Sequence, residues 1–564
     1  MVALRSHGGE GGQVMSSIFG GTAPGTPVSG AIVSRGDPWA LQRLVMGLIL
    51  LLGVALRLWQ FVFNRSLWLD EAYLASNFVG RDTWALLTEP LANGQAAPLG
   101  FLLAAKACFD WLGGADWTLR LVPLLSGLLT LLVAWRLSLL AWRHALARVL
   151  FVGLVSFSPV LIYYTSEFKQ YGGDVLVSML LVWACMRFDT ASLRASLLRL
   201  GWVGVLGVWF SHSSVFPMAA VGLILGVESA MRHQWRTVAG LLVVGVLWVL
   251  SFGLHYAAGM SAMAADPELA RFWIMAYAPL PPFEPGDATW YWDSGLGLVY
   301  LAFRHVGIAH HLALPEWNDG LTVGLALWVC AGWMMAWRLG GRWMAVLVLP
   351  VFITLLASGL QLYPFRSRLI LFLVPLLWMA VATVVEVACE GWHRTAGPAG
   401  VGWHRWRALS AAGVSLALLV LVAGPTARHA LTPYNGADLK GALAFVQAQR
   451  LPGDHLMINT WSAKAFDFYQ DAFELGDVSR FVYRPTPNAQ HDALATAKRI
   501  CRAGETGRTW LVLSHRFGQR QTLLGVLQSI APFSAQWEGN GAGAYLLDLA
   551  STPFCQRYRP SPTG

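Results

Sequence analysis

Long apolar runs separated by short polar stretches occupy most of the chain. The runs at residues 45–62, 121–135, 241–254 and 369–388 are typical. Each is close to the length that crosses a hydrocarbon core of about 30 Å as a helix. A soluble core does not need many such runs in series, so the pattern predicts a mainly α-helical, polytopic transmembrane bundle. The predicted spans, about eleven in number, cover residues 41–63, 117–141, 146–164, 173–189, 198–211, 213–230, 237–257, 320–338, 343–360, 369–388 and 408–424.

Basic residues are distributed unevenly between alternate loops. With the N-terminus placed in the cytoplasm, the short loops predicted to face outward contain only Lys169, Arg366 and Arg368. This alternation follows the positive-inside rule through every predicted span, so it indicates a cytoplasmic N-terminus and a C-terminal part outside. The loops predicted to be cytoplasmic contain Arg136, Arg143, Arg148, Arg187, Arg194, Arg199, Arg232, Arg236, Arg338, Arg342, Arg394, Arg405 and Arg407.

The predicted spans divide the chain into three parts. Residues 1–40 are rich in Gly, Ser and Pro, and we expect a disordered cytoplasmic tail. Residues 41–425 form the predicted membrane domain, with two long outer-face segments at 64–116 and 258–319. Residues 426–564 are predicted to form a small α/β domain outside the membrane, because short strands and amphipathic helices replace the apolar runs there.

Within this C-terminal part, Cys501 and Cys555 are the two cysteines. They can pair if the domain lies in an oxidising compartment, so the sequence leaves their state open. Two amphipathic helices and two strands are predicted, at residues 438–450, 519–530, 455–460 and 509–514.

Composition agrees with a membrane protein and argues against a nucleic-acid partner. Of the residues, 56% are hydrophobic and 13% are charged, whereas a soluble domain is usually about 25% charged. The net charge is +9, from 40 Lys and Arg against 31 Asp and Glu. The arginines stand singly between apolar runs, which is typical of orientation control in a membrane.

Two adjacent carboxylates, Asp70 and Glu71, follow the outer end of the first predicted span, and Tyr73 comes just after them. Carboxylates at a membrane surface are costly to desolvate, so a pair at this place points to a function. The alternative is a solvated loop or a helix start, where acidic residues favour the positive end of the helix dipole.

Charged residues also stand at the outer ends of two later spans. Glu167, Lys169 and Tyr171 follow the third span, and the alternative reading is a set of snorkelling interfacial residues with a tyrosine anchor. Arg366 and Arg368 precede the tenth span. Arginine suits bidentate phosphate binding, and the alternative is contact with lipid headgroups.

A histidine, His212, lies at another outer helix end, where a packed, hydrogen-bonded residue is the usual alternative. All four segments lie on the same predicted face and together supply a base, cations and polar partners. Glycosyl transfer from a lipid phosphate requires these groups, because the acceptor hydroxyl loses a proton and the leaving phosphate needs charge stabilisation. Nucleotide sugars are cytoplasmic and the chain has no Gly-rich phosphate loop, which favours a lipid-linked donor.

These segments resemble a known group, the GT-C glycosyltransferases, which includes protein O-mannosyltransferases and bacterial aminoarabinose transferases. Residues 68–71, Trp-Leu-Asp-Glu, resemble the Asp-Glu motif of the group, and residues 94–99, Gly-Gln-Ala-Ala-Pro-Leu, resemble its Pro-Pro-Leu segment. Residues 166–171, Ser-Glu-Phe-Lys-Gln-Tyr, are similar to a Gln-Glu-Ala-Arg-x-Tyr segment of bacterial members. Residues 364–375 resemble their later Arg-containing helix start. The resemblance covers most of residues 41–425.

The resemblance implies an inverting transfer from a polyprenyl-phosphate sugar to a lipid, glycan or protein acceptor, in the bacterial inner membrane. Asp70 would be the general base, and Glu71 would orient it or the acceptor. The residues implied to bind the donor phosphate are Lys169, Arg366 and Arg368. The residues implied to contact substrate are Tyr73, Gln95, Glu167, Tyr171 and His212.

The chain departs from the aminoarabinose transferases at Gln95 and Ala96, where they have Glu-Lys, and at Ala97, which replaces their first proline. These changes remove a phosphate-binding lysine and one plausible metal ligand, which puts that specific activity in doubt. No tight His/Cys/Asp cluster with metal spacing stands in the sequence. We therefore expect no cofactor, and a divalent metal stays an open alternative.

Two other classes of function remain as alternatives. A transporter or flippase for a lipid-linked glycan should have inverted repeats and charges near the bilayer midplane, whereas the charges here gather at one face. A glycan polymerase or ligase also uses outer-face arginine and histidine, but does not need the Asp-Glu pair. The sugar and the acceptor are not specified by the sequence.

Overall fold

The computed structural model describes residues 38–260, 271–304, 319–394, 401–484, 486, 488–503, 508–515, 520–550 and 552–558. Contacts group the chain into a small unit, residues 1–44, and a large unit, residues 45–564. Most of the predicted disordered tail lies outside the described residues, as do parts of the predicted outer segment 258–319. All of the features below that bear on function belong to the large unit.

Helices account for nearly all of the chain before the C-terminal part. Short 3₁₀ turns interrupt them, and two of these, His212–Ser214 and Ser367–Leu373, contain candidate site residues. In chain order the helices are α1 (Pro38–Val62), α2 (Leu69–Ala75), α3 (Thr83–Thr88), α4 (Leu99–Trp111), α5 (Asp116–Leu119), α6 (Leu121–Ala141), α7 (Ala145–Phe157), α8 (Pro159–Tyr164), α9 (Tyr171–Met186), α10 (Leu193–Phe210), α11 (Val215–Met231), α12 (Trp235–His255), α13 (Pro285–Phe303), α14 (Gly320–Ala336), α15 (Gly341–Gly359), α16 (Val374–Arg394) and α17 (Val401–Leu431).

Within the described ranges, nine helices are long and apolar enough to cross a membrane, so the chain is a multi-pass membrane protein. The predictions at 146–164 and 173–189 correspond to the shorter helices α7 and α9, so the predicted count of eleven full-length spans is not confirmed. The last predicted span, 408–424, lies within α17, which continues through Pro425. The span that includes α16 is 94% buried, against at most 50% for the other eight, and is therefore the central helix of the bundle.

The predicted span 146–164 is broken into α7 and α8 by a local capping signal. Ser158 has an extended backbone, and its hydroxyl accepts a hydrogen bond from the Leu161 amide at 3.4 Å. Pro159 occupies the first turn of α8, where its missing N–H costs nothing. A capping serine followed by proline begins a new helix, which explains why α7 is shorter than a full span.

A buried arginine compensates for the early end of α7. Arg57 lies within α1 and is fully buried. Its guanidinium donates to the carbonyls of Val155 and Ser156 at 2.9 and 3.0 Å. These carbonyls belong to the last turn of α7, where helical partners are missing. The contact therefore satisfies a charge within a span and joins α1 to α7.

The C-terminal part is a small three-layer α/β structure, as predicted. Its five strands have the order β2-β1-β3-β5-β4, with β2, β1 and β3 parallel and β5 and β4 antiparallel to their neighbours. Its elements are α18 (Leu439–Gln449), β1 (His455–Asn459), α19 (Thr460–Tyr469), β2 (Arg480–Tyr483), α20 (Ala489–Ala503), β3 (Arg508–Ser514), α21 (Arg520–Ile530), β4 (Ala535–Gly539), β5 (Ala542–Asp548) and α22 (Pro553–Gln556).

Alternate residues of the central strands face two different helix layers, as the period of two in a strand requires. Ile458 packs in one core with Phe466 of α19, whereas Met457 packs in another core with Ala497 of α20. The helices that flank β1 and β3 along the chain thus lie on opposite faces of the sheet. A disulfide between Cys501 and Cys555 joins α20 to α22, a pairing that the sequence left open.

The α/β structure is docked against the segment between α1 and α6. Lys440 forms an ion pair with Asp116 at 2.5 Å and also donates to the Asn64 carbonyl at 2.8 Å. The Tyr469 hydroxyl donates to Asp116 at 2.7 Å and accepts from the Leu67 amide at 2.9 Å. Because these contacts are buried or half-buried and directional, they fix residues 64–69 relative to the sheet.

Candidate active site

Asp70 and Glu71 lie in the first turn of the short helix α2, just outside the first span. The backbone of Trp68, the residue just before α2, is extended, with φ −71° and ψ 162°. The Glu71 carboxylate accepts a hydrogen bond from the Trp68 amide at 3.0 Å, which closes the start of the helix. Successive residues of a helix point about 100° apart, so the two neighbouring carboxylates face different surroundings.

Glu71 is fully buried between two arginines. Arg120 donates to both of its carboxylate oxygens, at 2.9 and 3.0 Å, and Arg65 lies 3.4 Å away. The Phe168 amide donates a further bond at 2.7 Å. Burial by itself would raise the pKa of Glu71, but Arg120 and Arg65 outweigh it and lower that pKa below its ordinary value. We call Glu71, Arg65 and Arg120 the closed cluster.

Glu167 stands at the edge of the closed cluster. One of its carboxylate oxygens lies 3.5 Å from Arg65 and has no hydrogen-bond partner among the described residues. Burial and the nearby charge of Glu71 raise the pKa of Glu167 to about 7. This carboxyl group can therefore exchange a proton near neutral pH, although it is only 1% exposed.

Asp70 faces a second group of charges, which is partly open to solvent. Its carboxylate lies 2.5 Å from the Arg368 guanidinium, and the two side chains are 23% and 17% exposed. Arg368 comes from the 3₁₀ turn before α16, and its guanidinium lies over the Tyr171 ring, 5.8 Å from the centroid. Tyr73, one turn along α2, has its pKa raised by burial and by the charge of Asp70.

Lys169 belongs to the same group. Its ammonium donates to the Gln95 amide oxygen at 2.6 Å. Burial lowers the pKa of Lys169, and the nearby Asp70 and Arg368 charges act on it in opposite senses. A glutamate at position 95 would neutralise this lysine, whereas the uncharged glutamine holds it and leaves its charge available. We call Asp70, Lys169 and Arg368 the open cluster.

Two of the sequence-derived candidates do not join either cluster. Arg366 is half-buried, and its side chain has no hydrogen bond or ion pair within the described part of the chain. The His212 ring lies 5.3 Å from the His255 ring, and no contact between described residues joins it to Asp70. Donor-phosphate binding by Arg366 and substrate binding by His212 therefore stay predictions without support from a shared cluster.

Sequence reasoning missed the two arginines of the closed cluster. Arg65 and Arg120 flank the first two membrane helices on the side predicted to be outer, where the positive-inside rule disfavours them. The signal that selected Arg368, a charge outside a span on the outer side, was thus available for Arg65, whereas Arg120 lies within the predicted span 117–141. Lys440 and Tyr469 were also missed, and they lie in an amphipathic region where charged and aromatic residues are common.

A metal site has no candidate within the described ranges. No group of three or more His, Cys, Asp or Glu side chains there could hold a metal ion. Metal-independent catalysis stays a prediction.

The fold and the site define a class of protein: a polytopic membrane protein with an ionic centre at the ends of its helices and an α/β structure docked beside it. No protein-family model and no curated protein matches the sequence. Among solved structures, the chain is similar to ArnT from Cupriavidus metallidurans in the apo state, with a TM-score of 0.47 and 13% identity, over 90% of this chain and 98% of that chain.

The structure of the same ArnT bound to undecaprenyl phosphate gives a TM-score of 0.47 and 13% identity, over 91% of this chain and 99% of that one. The Archaeoglobus fulgidus oligosaccharyltransferase, in complex with Zn and sulfate, gives 0.47 and 12% identity, over 89% and 72%. Both proteins belong to the GT-C group, which the sequence motifs also resemble. Likenesses of this degree decide neither activity nor substrate, so the function has to come from the site.

Proposed function

We propose that the chain is an inverting glycosyltransferase that moves a sugar from a polyprenyl-phosphate donor to a hydroxyl group of a lipid, glycan or protein. The observation that supports it is the open cluster. A carboxylate and a guanidinium that are in contact and partly exposed stand at the ends of the membrane helices, with a buried lysine beside them. A base and two cations are what this transfer needs.

The two cations of the open cluster would bind the donor phosphate. Arg368 uses one terminal nitrogen for Asp70, and its Nε has no hydrogen-bond partner among the described residues. A planar guanidinium can hold a carboxylate and a phosphate oxygen at the same time. Lys169 is held by a neutral amide, so its charge is free to offset a second phosphate oxygen. A donor lipid can reach the cluster laterally from the bilayer.

In the reaction, Asp70 acts as the general base. The ion pair with Arg368 keeps it as a carboxylate, the form that accepts a proton. The acceptor oxygen attacks the anomeric carbon on the face opposite the phosphate, and its proton goes to Asp70. The bond between the anomeric carbon and the phosphate oxygen breaks, and its electron pair leaves with the polyprenyl phosphate. The products are the glycosylated acceptor, with inverted configuration, and polyprenyl phosphate.

Glu71 would act indirectly, by fixing the start of α2 and thereby the position of Asp70. Glu167, Tyr171, Tyr73 and Gln95 surround the two clusters and would shape the substrate site. We place this site on the outer face of a bacterial inner membrane, with the N-terminus in the cytoplasm and the α/β structure in the periplasm. The disulfide between Cys501 and Cys555 supports this orientation, because disulfides persist in oxidising compartments.

Replacement of the proposed base tests the function. Asp70→Asn keeps the shape of the side chain but removes its basicity, so transfer should fall by about 10²- to 10⁴-fold. Mass spectrometry of envelope glycans and of polyprenyl-phosphate sugars, in a deletion strain that expresses each variant, should show lost product and accumulated donor. Asp477→Asn is the matched control, since that carboxylate is 70% exposed in a surface pair with Arg450.

Normal glycan levels with Asp70→Asn would contradict the proposal. If those levels instead fell only with Arg368→Ala, a lipid-linked-glycan transporter or polymerase would replace the glycosyltransferase, because neither needs the carboxylate.

A further inference from the structure

A histidine of the α/β structure lies beside the open cluster. His515 directly follows β3, and its ring lies 4.4 Å from the ring of Trp68, tilted by 59°. Trp68 is the residue just before α2, so it stands two positions before Asp70. Asp70 and His515 are close enough for the carboxylate charge to influence the pKa of His515. Although His515 is far from Asp70 in the sequence, the docking of the sheet thus brings it close to the proposed base.

A chain of hydrogen bonds fixes the orientation of the His515 ring. The Asn459 amide donates to the Ser514 carbonyl at 3.0 Å, and the Ser462 hydroxyl lies 2.9 Å from the Ser514 hydroxyl. That hydroxyl in turn lies 2.8 Å from Nδ1 of His515. The bond to Nδ1 directs Nε2, on the other edge of the ring, away from Ser514.

The Nε2 atom of His515 is buried and has no hydrogen-bond partner within the described part of the chain. The residue is 8% exposed and has φ +70°, in the left-handed region that side chains rarely adopt. Such strained residues gather at functional sites, where the surrounding structure holds them in place. A buried nitrogen without a partner is itself unfavourable, so both observations indicate a ligand.

The position of His515 in the sheet agrees with a ligand site. β1 and β3 are adjacent and parallel, and the helices α19 and α20 lie on opposite faces of the sheet. The strand order therefore reverses between β1 and β3. In open α/β sheets, ligands bind at the carboxyl ends of the strands where this reversal occurs. Asn459 ends β1 and His515 follows β3, so both stand at this edge.

We propose that Nε2 of His515 hydrogen-bonds the acceptor hydroxyl and, together with Asp70, holds it for attack on the donor sugar. This inference rests on the proposed glycosyltransferase function. It places the acceptor hydroxyl between the β1–β3 edge and the start of α2. The acceptor class is an alcohol, whether it comes from a glycan, a protein side chain or a lipid headgroup.

Hydroxyl chemistry suits this histidine in either of its neutral forms. An imidazole with its proton on Nδ1 accepts a bond at Nε2, and the other tautomer donates one. A hydroxyl group can do both. Burial lowers the pKa of His515 to about 4, so the ring is neutral at neutral pH and offers no charge to a phosphate. The donor phosphate belongs with Lys169 and Arg368, which come from the membrane helices rather than from the sheet.

Three variants of the full-length chain test the inference. His515→Ala removes the hydrogen bond, and His515→Gln keeps an amide that can donate and accept. His455→Gln is the matched control, because His455 begins β1 at the opposite end of the same sheet. Each variant is expressed in the deletion strain for mass spectrometry of envelope glycans, and each is purified for binding of undecaprenyl phosphate.

We expect His515→Ala to lower glycan product by about tenfold or more, the effect of losing one hydrogen bond to the reacting group. His515→Gln should recover part of the product, and His455→Gln should match the wild type. The dissociation constant for undecaprenyl phosphate should change by less than about twofold in all three. Where His515→Ala lowers the amount of folded protein, His515→Gln decides, since its side chain fills similar space.

If His515→Ala makes the full amount of glycan product while Asp70→Asn makes none, only the acceptor role of His515 is overturned. Full product with Asp70→Asn would instead overturn the glycosyltransferase proposal itself. A loss of undecaprenyl phosphate binding in His515→Ala would place the histidine on the donor side and so refute the acceptor assignment. If the product is lost, the glycan, protein and lipid fractions that contained it identify the source of the alcohol.

Discussion

The open and closed clusters lie on two sides of the same helical turn, yet their environments are opposite. Asp70 is paired with Arg368 and is 23% exposed, whereas Glu71 is fully buried and bound by two arginines and two backbone amides. Two carboxylates that are neighbours in the sequence are therefore different in kind. The difference teaches that burial and access to solvent, rather than the acidic pair as such, distinguish the proposed base from the carboxylate that fixes the start of α2.

The largest expected effect, and the strongest test of this comparison, is on the stability of variants at Glu71 and Asp70. Glu71→Gln removes the carboxylate that the buried Arg65 and Arg120 share and leaves only the more distant Glu167 beside Arg65, so we expect a loss of about 3–5 kcal/mol in the free energy of unfolding. Asp70→Asn should cost about 1 kcal/mol or less, because its ion pair is partly exposed. Thermal unfolding of both purified variants measures the contrast. Equal losses of stability in the two variants would remove the distinction between the clusters.

A smaller effect sharpens the function of the open cluster. Lys169→Ala and Arg368→Ala each remove a proposed charged partner of the donor phosphate, worth about 1.5–3 kcal/mol, so the donor KM should rise by roughly 10- to 150-fold. The assay uses the polyprenyl-phosphate sugar that accumulates in the deletion strain. Lys464→Ala, a surface lysine that is 40% exposed, is the control. A donor KM unchanged in both cluster variants would argue against phosphate binding there.

The smallest expected effect concerns the pH dependence of the closed side. The pKa of Glu167 is raised from 4.5 to about 7 by burial and Glu71, so the folded chain keeps this proton longer than the unfolded chain does. Its contribution to stability is full below about pH 4.5 and is lost as the pH rises through about 7. In the Glu167→Gln variant, Tm should therefore decrease less between about pH 5 and pH 8 than it does in the wild type.

The matched comparison for this last prediction is Glu89→Gln, because Glu89 is 57% exposed. A wild-type slope retained in Glu167→Gln would assign the pH dependence to other groups.

The sequence predicted the position of the membrane helices well, because apolar runs of sufficient length have few other solutions. It failed at residues 146–164, where Ser158 and Pro159 begin a new helix within an apolar run. Strands β2, β4 and β5 were also missed. Strand β2 has only four residues and two of them are exposed, so its hydrophobic signal is weak.

The sequence also selected the three members of the open cluster, since each is a charge at an outer helix end. It could not identify the distant residues that bind and surround these charges. Arg120 binds Glu71 across 49 positions, and Lys440 binds Ser66 across 374. Such partners come together through the packing of helices and the docking of the sheet. A single sequence contains charge and hydrophobicity at each position, but not which distant positions meet.

The docking contact between Lys440 and the stretch before α2 also has a consequence for how the protein is made. A ribosome that adds about 5–20 residues per second needs roughly 20–75 s to extend the chain across the 374 positions between Ser66 and Lys440. During that interval the stretch before α2 has been synthesised, but Lys440, Tyr469 and the sheet edge that later position it have not. Newly synthesised copies therefore lack this docking contact until Lys440 and the strands that follow it have been made.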